Sequence, residues 1–269
     1  MQEGNPIKTV GQLADSALYE ASKKFGTSSW WRGQPCDDPS CSLRPRVFRD
    51  GWNPGREGQL ILRFMRQARI RHPNCPGRDK ESHPSWLILM QHYGLPTRLL
   101  DWTESALVGL YFAVEGHPKH TGALFALSPY RLNEAMAPTE GRIILDQGSP
   151  PVLHLVDEAF AKTPKLKELC YALYPEETDP RIQLQSSTFT VHGSPTPLEQ
   201  GEKNEDYLLR FLVPPKAKIV IARQLERCGI MRSTLFPDLE NLARDLDRAD
   251  KAQANGGRPE IPPKPERGK

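Results

Sequence analysis

The chain has 269 residues, 38% of them hydrophobic and 26% charged, with a formal net charge of +3. That composition supports a buried core and excludes an intrinsically disordered chain, and the charge is too small to mark a nucleic-acid binder by itself. No apolar run approaches the ~18 residues of a membrane span, and the opening MQEGNPIKTV lacks the basic-then-apolar pattern of a secretion signal, so the chain reads as cytoplasmic with no membrane partner.

Residues 10–25 read as an opening helix, with Leu13, Leu18 and Ala21 on one face. Positions 28–33 read as a strand in which Trp30 and Trp31 lead into Arg32, Gly33 and Gln34. A loop rich in Pro, Cys and Asp continues through Phe48. From Glu57 to Ile70, Leu60, Ile61, Phe64, Met65 and Ala68 recur at helical spacing, while Arg63, Arg66 and Arg69 form a solvated face. Ser85 is placed to cap a helix through Trp86, Leu89 and Met90 that Gly94 and Pro96 end. Thr97–Thr103 reads as a short strand breaking into a turn, after which Thr103 or Asp101 caps a helix from Glu104 to Val114. Ala106, Gly109 and Ala113 give that helix a small-residue stripe suited to close packing on a sheet.

Ala123–Leu127 reads as a buried strand. The irregular stretch 129–180 reads as an insertion containing a helix from Asp157 to Leu173. Thr188–Val191 and Tyr207–Val213 alternate as strands do, and 217–228 reads as a strand passing into a helix closed by Gly229. Asp238 is placed to cap a last helix, Leu239–Leu246. The expected fold is therefore α+β, a mixed central sheet with flanking helices. One domain fills residues 1–250, and a Pro/Gly/Lys-rich disordered tail occupies 251–269.

Cys36 and Cys41 enclose four residues and, with Cys75 and His72 or His83, offer an open zinc set. No C-x-x-C spacing occurs, so free thiols are the preferred reading and no metal is expected. Cys170 and Cys228 sit in apolar patterns and read as core.

Two segments concentrate chemistry. Gln91–Thr103 (QHYGLPTRLLDWT) places His92, Thr97, Arg98, Asp101, Trp102 and Thr103 around a bend set by Gly94 and Pro96. Beside aromatic rings an arginine receives an anion or a stacked base, though an Arg98–Asp101 pair that merely locks the turn reads equally well. In Trp31-Arg32-Gly33-Gln34, the glycine allows a ligand close to the backbone while Arg32 grips a phosphate or carboxylate; a buried structural arginine is the competing reading.

Together these segments resemble the FRG-domain family. Its aromatic-Arg-Gly motif, usually followed by Gln, is similar to Trp31–Gln34 here, and His92–Thr103 resembles its most specific signature. Further similarity lies in Ser42–Arg49, Leu110–Ala113, Arg181–Gly193 and Thr234–Leu239, so the resemblance spans about residues 25–246. Ser186-Ser187 and Glu240-Asn241 depart from its pattern. The resemblance implies a setting akin to bacterial defence but no reaction.

A fold-level analogy to ADP-ribosyltransferases supplies one. It makes Arg32, Gln34, Thr97, Arg98, Trp102, Thr103 and Gln185 binding residues for NAD, the expected co-substrate. Arg32, His92, Asp101 and Glu240 become catalytic, with Gln185, Asp238 and Glu240 as candidates for the late acid. The target would be a protein or nucleic acid, and a neutralising partner protein would restrain the effector. Two alternatives stand beside this reading. One is a nucleotide- or nucleic-acid-binding module without turnover. The other is a hydrolase or nuclease with His92 or His192 as base and Asp101 as its orienter. No Walker, HExxH or GxSxG motif occurs.

Overall fold

A computed structural model describes residues 1–26, 28–49, 54–176 and 180–254. Eight strands form one sheet among them: β1 (Gln2–Glu3), β2 (Trp30–Gln34), β3 (Leu99–Thr103), β4 (Gly122–Leu127), β5 (Leu145–Asp146), β6 (Cys170–Tyr174), β7 (Ser187–His192) and β8 (Leu208–Val213). Their order is β1-β8-β4-β2-β3-β7-β6-β5. The two edge pairs, β1/β8 and β5/β6, are parallel and the remaining pairs antiparallel, which makes the sheet mixed, as expected.

The helices are α1 (residues 10–25, π-helical over Leu13–Leu18), α2 (Pro54–Ala68), α3 (His83–His92), α4 (Ala106–Val114), α5 (Pro129–Met136) and α6 (Pro150–Phe160). They continue with α7 (Pro180–Leu184), α8 (Asn204–Tyr207), α9 (Pro215–Arg227), α10 (Arg232–Leu235) and α11 (Leu239–Ala254). None of the described helices is long and apolar enough to cross a membrane.

Strand alternation divides the core. Trp31 pairs with Thr103, so both lie on one face, and that face carries two separate helical layers. Over β2, β4 and β8, helices α1, α4 and α9 bury Trp31, Leu124, Ala126 and Phe211. Over β3, β7 and β6, helices α2, α3 and α6 bury Leu99, Val191, Phe189 and Leu173. The opposite face has a continuous cluster of Trp30, Leu100, Trp102, Phe125 and Ala172, capped by Leu43, Leu132 and Leu198. The two layers on the first face thus meet above the junction of β2 with β3.

The small-residue stripe of α4 packs on the sheet as its pattern predicts. A methyl group on Gly33 would overlap the Gly109 carbonyl oxygen and the Ala113 nitrogen, and would stand 2.7 Å from the Phe112 carbonyl carbon. Gly109 in turn leaves room for Trp31, whose Cβ would lie 2.8 Å from an added methyl. This helix therefore lies directly on β2.

Several local expectations are corrected. The helix expected at 157–173 lies earlier, as α6, where Val152, Leu155, Val156 and Ala159 form the buried stripe. Cys170–Tyr174 is strand β6, buried over its first four positions; a short apolar run covered on both sides has no period that separates strand from helix. Residues 215–227 are helical throughout. Pro215 opens α9, and Ala217, Ile221 and Leu225 are buried at i, i+4, i+8 despite the β-branched Ile219-Val220-Ile221 run. Ser85 lies inside α3 and bonds Gln147; Asp79 caps the 3-10 turn before that helix. Ser105, not Thr103 or Asp101, caps α4. Asp238 accepts from the Asn241 amide at 2.8 Å and does cap α11, which runs on to Ala254.

The stretch expected as an insertion supplies α5, α6 and two strands at one edge of the same sheet. Asn133 of α5 holds that edge by bonding both the carbonyl and the amide of Ala172. Cys36 and Cys41 are joined in a disulfide, which corrects the free-thiol reading and removes both from a zinc set. Cys170 is buried as expected, but Cys228 is exposed. Positions 255–269 of the expected tail lie outside the described residues.

Candidate functional site

The sheet is incompletely closed at its centre. Strand β2 pairs with β4 at five consecutive positions and β3 pairs with β7 at five, yet β2 and β3 pair only at Trp31 and Thr103. Beyond that pair the strands part, leaving polar backbone groups without ladder partners. Arg32 spans the gap: its Nη1 donates to the Asp101 carbonyl oxygen at 2.6 Å and lies 3.6 Å from the Asp101 carboxylate. Above the gap, between the two helical layers, opens a cleft of about 1400 Å³.

Arg32 is 16% exposed at its side chain, while Asp101 is 54% exposed. Burial lowers the Arg32 pKa to about 10; the Asp101 charge works against that shift and the neighbouring Arg49 cation adds to it. The guanidinium stays charged at neutral pH, but its burial is incompletely compensated, and its Nε is buried without a hydrogen-bond partner.

Asp101 is held by a short relay. Gln91 at the end of α3 donates from Nε2 to Asp101 Oδ2 at 2.9 Å, and Thr97 donates to Gln91 Oε1 at 2.7 Å. The bend between them depends on Gly94, whose φ of +75° disfavours a side chain, and Arg46 donates to its carbonyl at 2.6 Å. His92 and Tyr93 stand edge-to-face at this rim, and Tyr93 is 56% exposed.

The facing wall comes from α4 and the C-terminal elements. Arg232 bonds Glu115, the residue that ends α4 and also accepts from Tyr111, and reaches Asn241 at 2.6 Å; Asn241 in turn donates to Asp238 at 2.6 Å. Phe236 is flanked by two guanidiniums, Arg181 at 4.3 Å and Arg232 at 4.8 Å from the ring centre. Gln185 closes this side: its backbone carbonyl accepts from Thr103 at 2.6 Å and its side chain donates to the Leu235 carbonyl at 2.8 Å.

The structure brings Arg32, Gln34, His92, Asp101, Trp102, Thr103, Gln185 and Asp238 to the cleft. Trp102 and Gln34 contribute little surface there. Trp102 is 3% exposed with its Nε1 donating to Thr190, and Gln34 is 5% exposed with its amide near the Ser42 carbonyl. Arg98, Thr97 and Glu240 lie elsewhere. Arg98 is fully buried in a two-pronged pair with Glu57, at 2.6 and 3.1 Å, and its third bond goes to the Leu155 carbonyl. Thr97 is fully buried, its hydroxyl donating to Gln91 and accepting from the Leu99 amide at 3.1 Å. Glu240 is 73% exposed and pairs with Arg244 along α11.

His192 is also away from the cleft, 2% exposed, with Thr190 at 2.9 Å from its Nε2. Burial, and then the Arg32 charge, depress its pKa to about 3, so it is neutral at physiological pH. Sequence reasoning did not find Glu115, Arg232, Phe236 or the arginines of the 44–63 region as site residues. Their signal is the clustering of arginine, which becomes visible only when the loop after β2 and helix α2 are brought to one wall.

Fold and site together define a mixed α+β protein with an arginine-lined cleft at a break in its central sheet. Residues 27–122 match the model of the FRG domain, so the chain carries an FRG domain over that stretch. The matched stretch contains both the Trp31–Gln34 and the His92–Thr103 motifs, while the Gln185 and Phe236 wall lies beyond it. No curated protein and no solved structure matches the chain significantly.

Proposed function

We propose that this protein is an NAD-dependent ADP-ribosyltransferase that modifies a macromolecule, acting as a toxin or defence effector held in check by a neutralising partner. The observation that carries the reading is the Arg32–Asp101 pair where the sheet opens: a buried guanidinium with an unpartnered Nε beside an exposed carboxylate fixed by Gln91. A guanidinium suits the pyrophosphate of a dinucleotide, and a fixed carboxylate suits the positive charge that develops at a ribose carbon. Phe112 offers a flat surface to a nicotinamide or adenine ring.

In this reaction the bond from ribose C1′ to the nicotinamide nitrogen breaks and its electron pair leaves with neutral nicotinamide. A nucleophilic atom of the acceptor bonds to C1′, and its proton passes to the Asp101 carboxylate. Asp101 is thus the preferred acid–base group. Asp238, capping α11 from the far wall, is the second candidate, and the position of Glu240 does not favour it.

The test uses NAD labelled on the adenylate phosphate, incubated with the full chain and cell lysate. Nicotinamide release with label in the protein or nucleic-acid fraction supports the reading. Absence of both, with no thermal shift by NAD, overturns it.

A further inference from the structure

The cleft carries far more positive charge than one dinucleotide requires. Eight arginines line it against four carboxylates, an excess of four positive charges in a chain whose formal net charge is +3. The positive charge of the molecule is therefore concentrated on this surface. It is also arranged. Arg44 and Arg49 stand on the loop after β2, where Arg49 bonds the Arg44 and Ser42 carbonyls and adds its charge to that of Arg32. Arg56 and Arg63 project from α2 seven positions apart, two helical turns along one face, so this side continues as a rail. At the rim Tyr93 is more than half exposed beside His92.

We propose that the macromolecule received by this cleft is single-stranded nucleic acid, its phosphates following the Arg44–Arg49 loop and the Arg56/Arg63 rail and a base stacking on Tyr93. Arginine is the residue suited to two-pronged phosphate recognition, and an exposed ring among arginines is the arrangement by which unpaired bases are held without sequence preference. An acidic polypeptide satisfies the charges but gives the Tyr93 ring no planar partner. The inference names the acceptor for the transfer proposed above and rests on that reading only for the transfer step; strand binding stands without NAD.

The experiment measures fluorescence anisotropy of labelled 12-nucleotide oligo-dT and oligo-rU with the full chain across a salt series. Duplex DNA of the same length and poly-glutamate are competitors. The single strands bind and poly-glutamate competes weakly. Log affinity falls with log salt at a slope of about −3, as expected for roughly four neutralised phosphates. Arg56→Gln/Arg63→Gln lowers that slope by about 1.4, whereas Tyr93→Ala weakens binding on the order of 10-fold with the slope unchanged. Equal or tighter binding of poly-glutamate, a preference for duplex, or variants that bind like wild type with unchanged melting temperature overturns the proposal. An NAD thermal shift measured in parallel separates the two claims: NAD binding without strand binding removes this one alone, and strand binding without NAD removes the transferase reading alone.

Discussion

Replacing Arg98 with methionine separates a structural arginine from a ligand-binding one. Arg98 lies in the motif that resembles the family signature most closely, yet it is fully buried and holds Glu57, itself about 1% exposed, through two bonds, with a third to the Leu155 carbonyl. Removing the cation leaves the Glu57 carboxylate buried without its counter-charge, which costs about 3–5 kcal/mol. For a domain of this size that corresponds to a fall in melting temperature of roughly 10 °C. Replacing both partners, Glu57→Leu with Arg98→Met, removes the unpaired charge and returns stability to within about 2 kcal/mol of wild type, the residue being the Leu155 carbonyl left without its donor. Urea unfolding of the two single variants and the double variant reads the coupling. An Arg98→Met protein of wild-type stability that has lost NAD binding would refute this account of the residue.

Other perturbations have distinct signatures. Gly33→Ala forces β2 and α4 apart and costs about 3 kcal/mol in chemical unfolding, because its methyl meets backbone atoms that cannot rotate away; a neutral result would mean the helix does not lie on that strand. Asp101→Asn leaves the melting temperature nearly unchanged, since the side chain is half exposed, but slows nicotinamide release while NAD still binds. A large loss of stability instead would make Asp101 structural. The buried His192, depressed to about pKa 3, binds a proton in the unfolded chain before the folded one, so stability falls as pH drops below about 6.5. Between pH 7 and pH 5 that amounts to roughly 2 kcal/mol, and His192→Gln abolishes this part of the acid sensitivity; equal pH dependence of variant and wild type would contradict the assignment.

Features fixed by local chemistry were readable in the sequence. The Trp31–Gln34 strand, the α2 periodicity, the small stripe of α4 and the Asp238 cap all follow from neighbours a few positions away. Segments whose character is set by their covering were not. Strand β6 is a buried run with no period of its own, and α9 carries β-branched residues that its burial pattern overrides. The site divides the same way. Arg32 and Asp101 were visible because a glycine and a turn mark them, and their adjacency follows from neighbouring strands. The role of Arg98 was not visible, because its partner Glu57 is 41 residues away on another helix. Nor was the arginine wall, which is assembled from a loop, a helix and the C-terminal segments.

The most direct test of the central claim is calorimetric titration of NAD into wild-type protein and into Arg32→Ala. In the proposed reaction the dinucleotide phosphates lie on the Arg32 guanidinium, which fills the gap between β2 and β3. Loss of one charge-assisted bond of about 1.5–3 kcal/mol predicts affinity reduced at least 10-fold in a variant that remains folded. Wild-type protein that does not bind NAD, or an Arg32→Ala protein that binds it equally well, would contradict the claim.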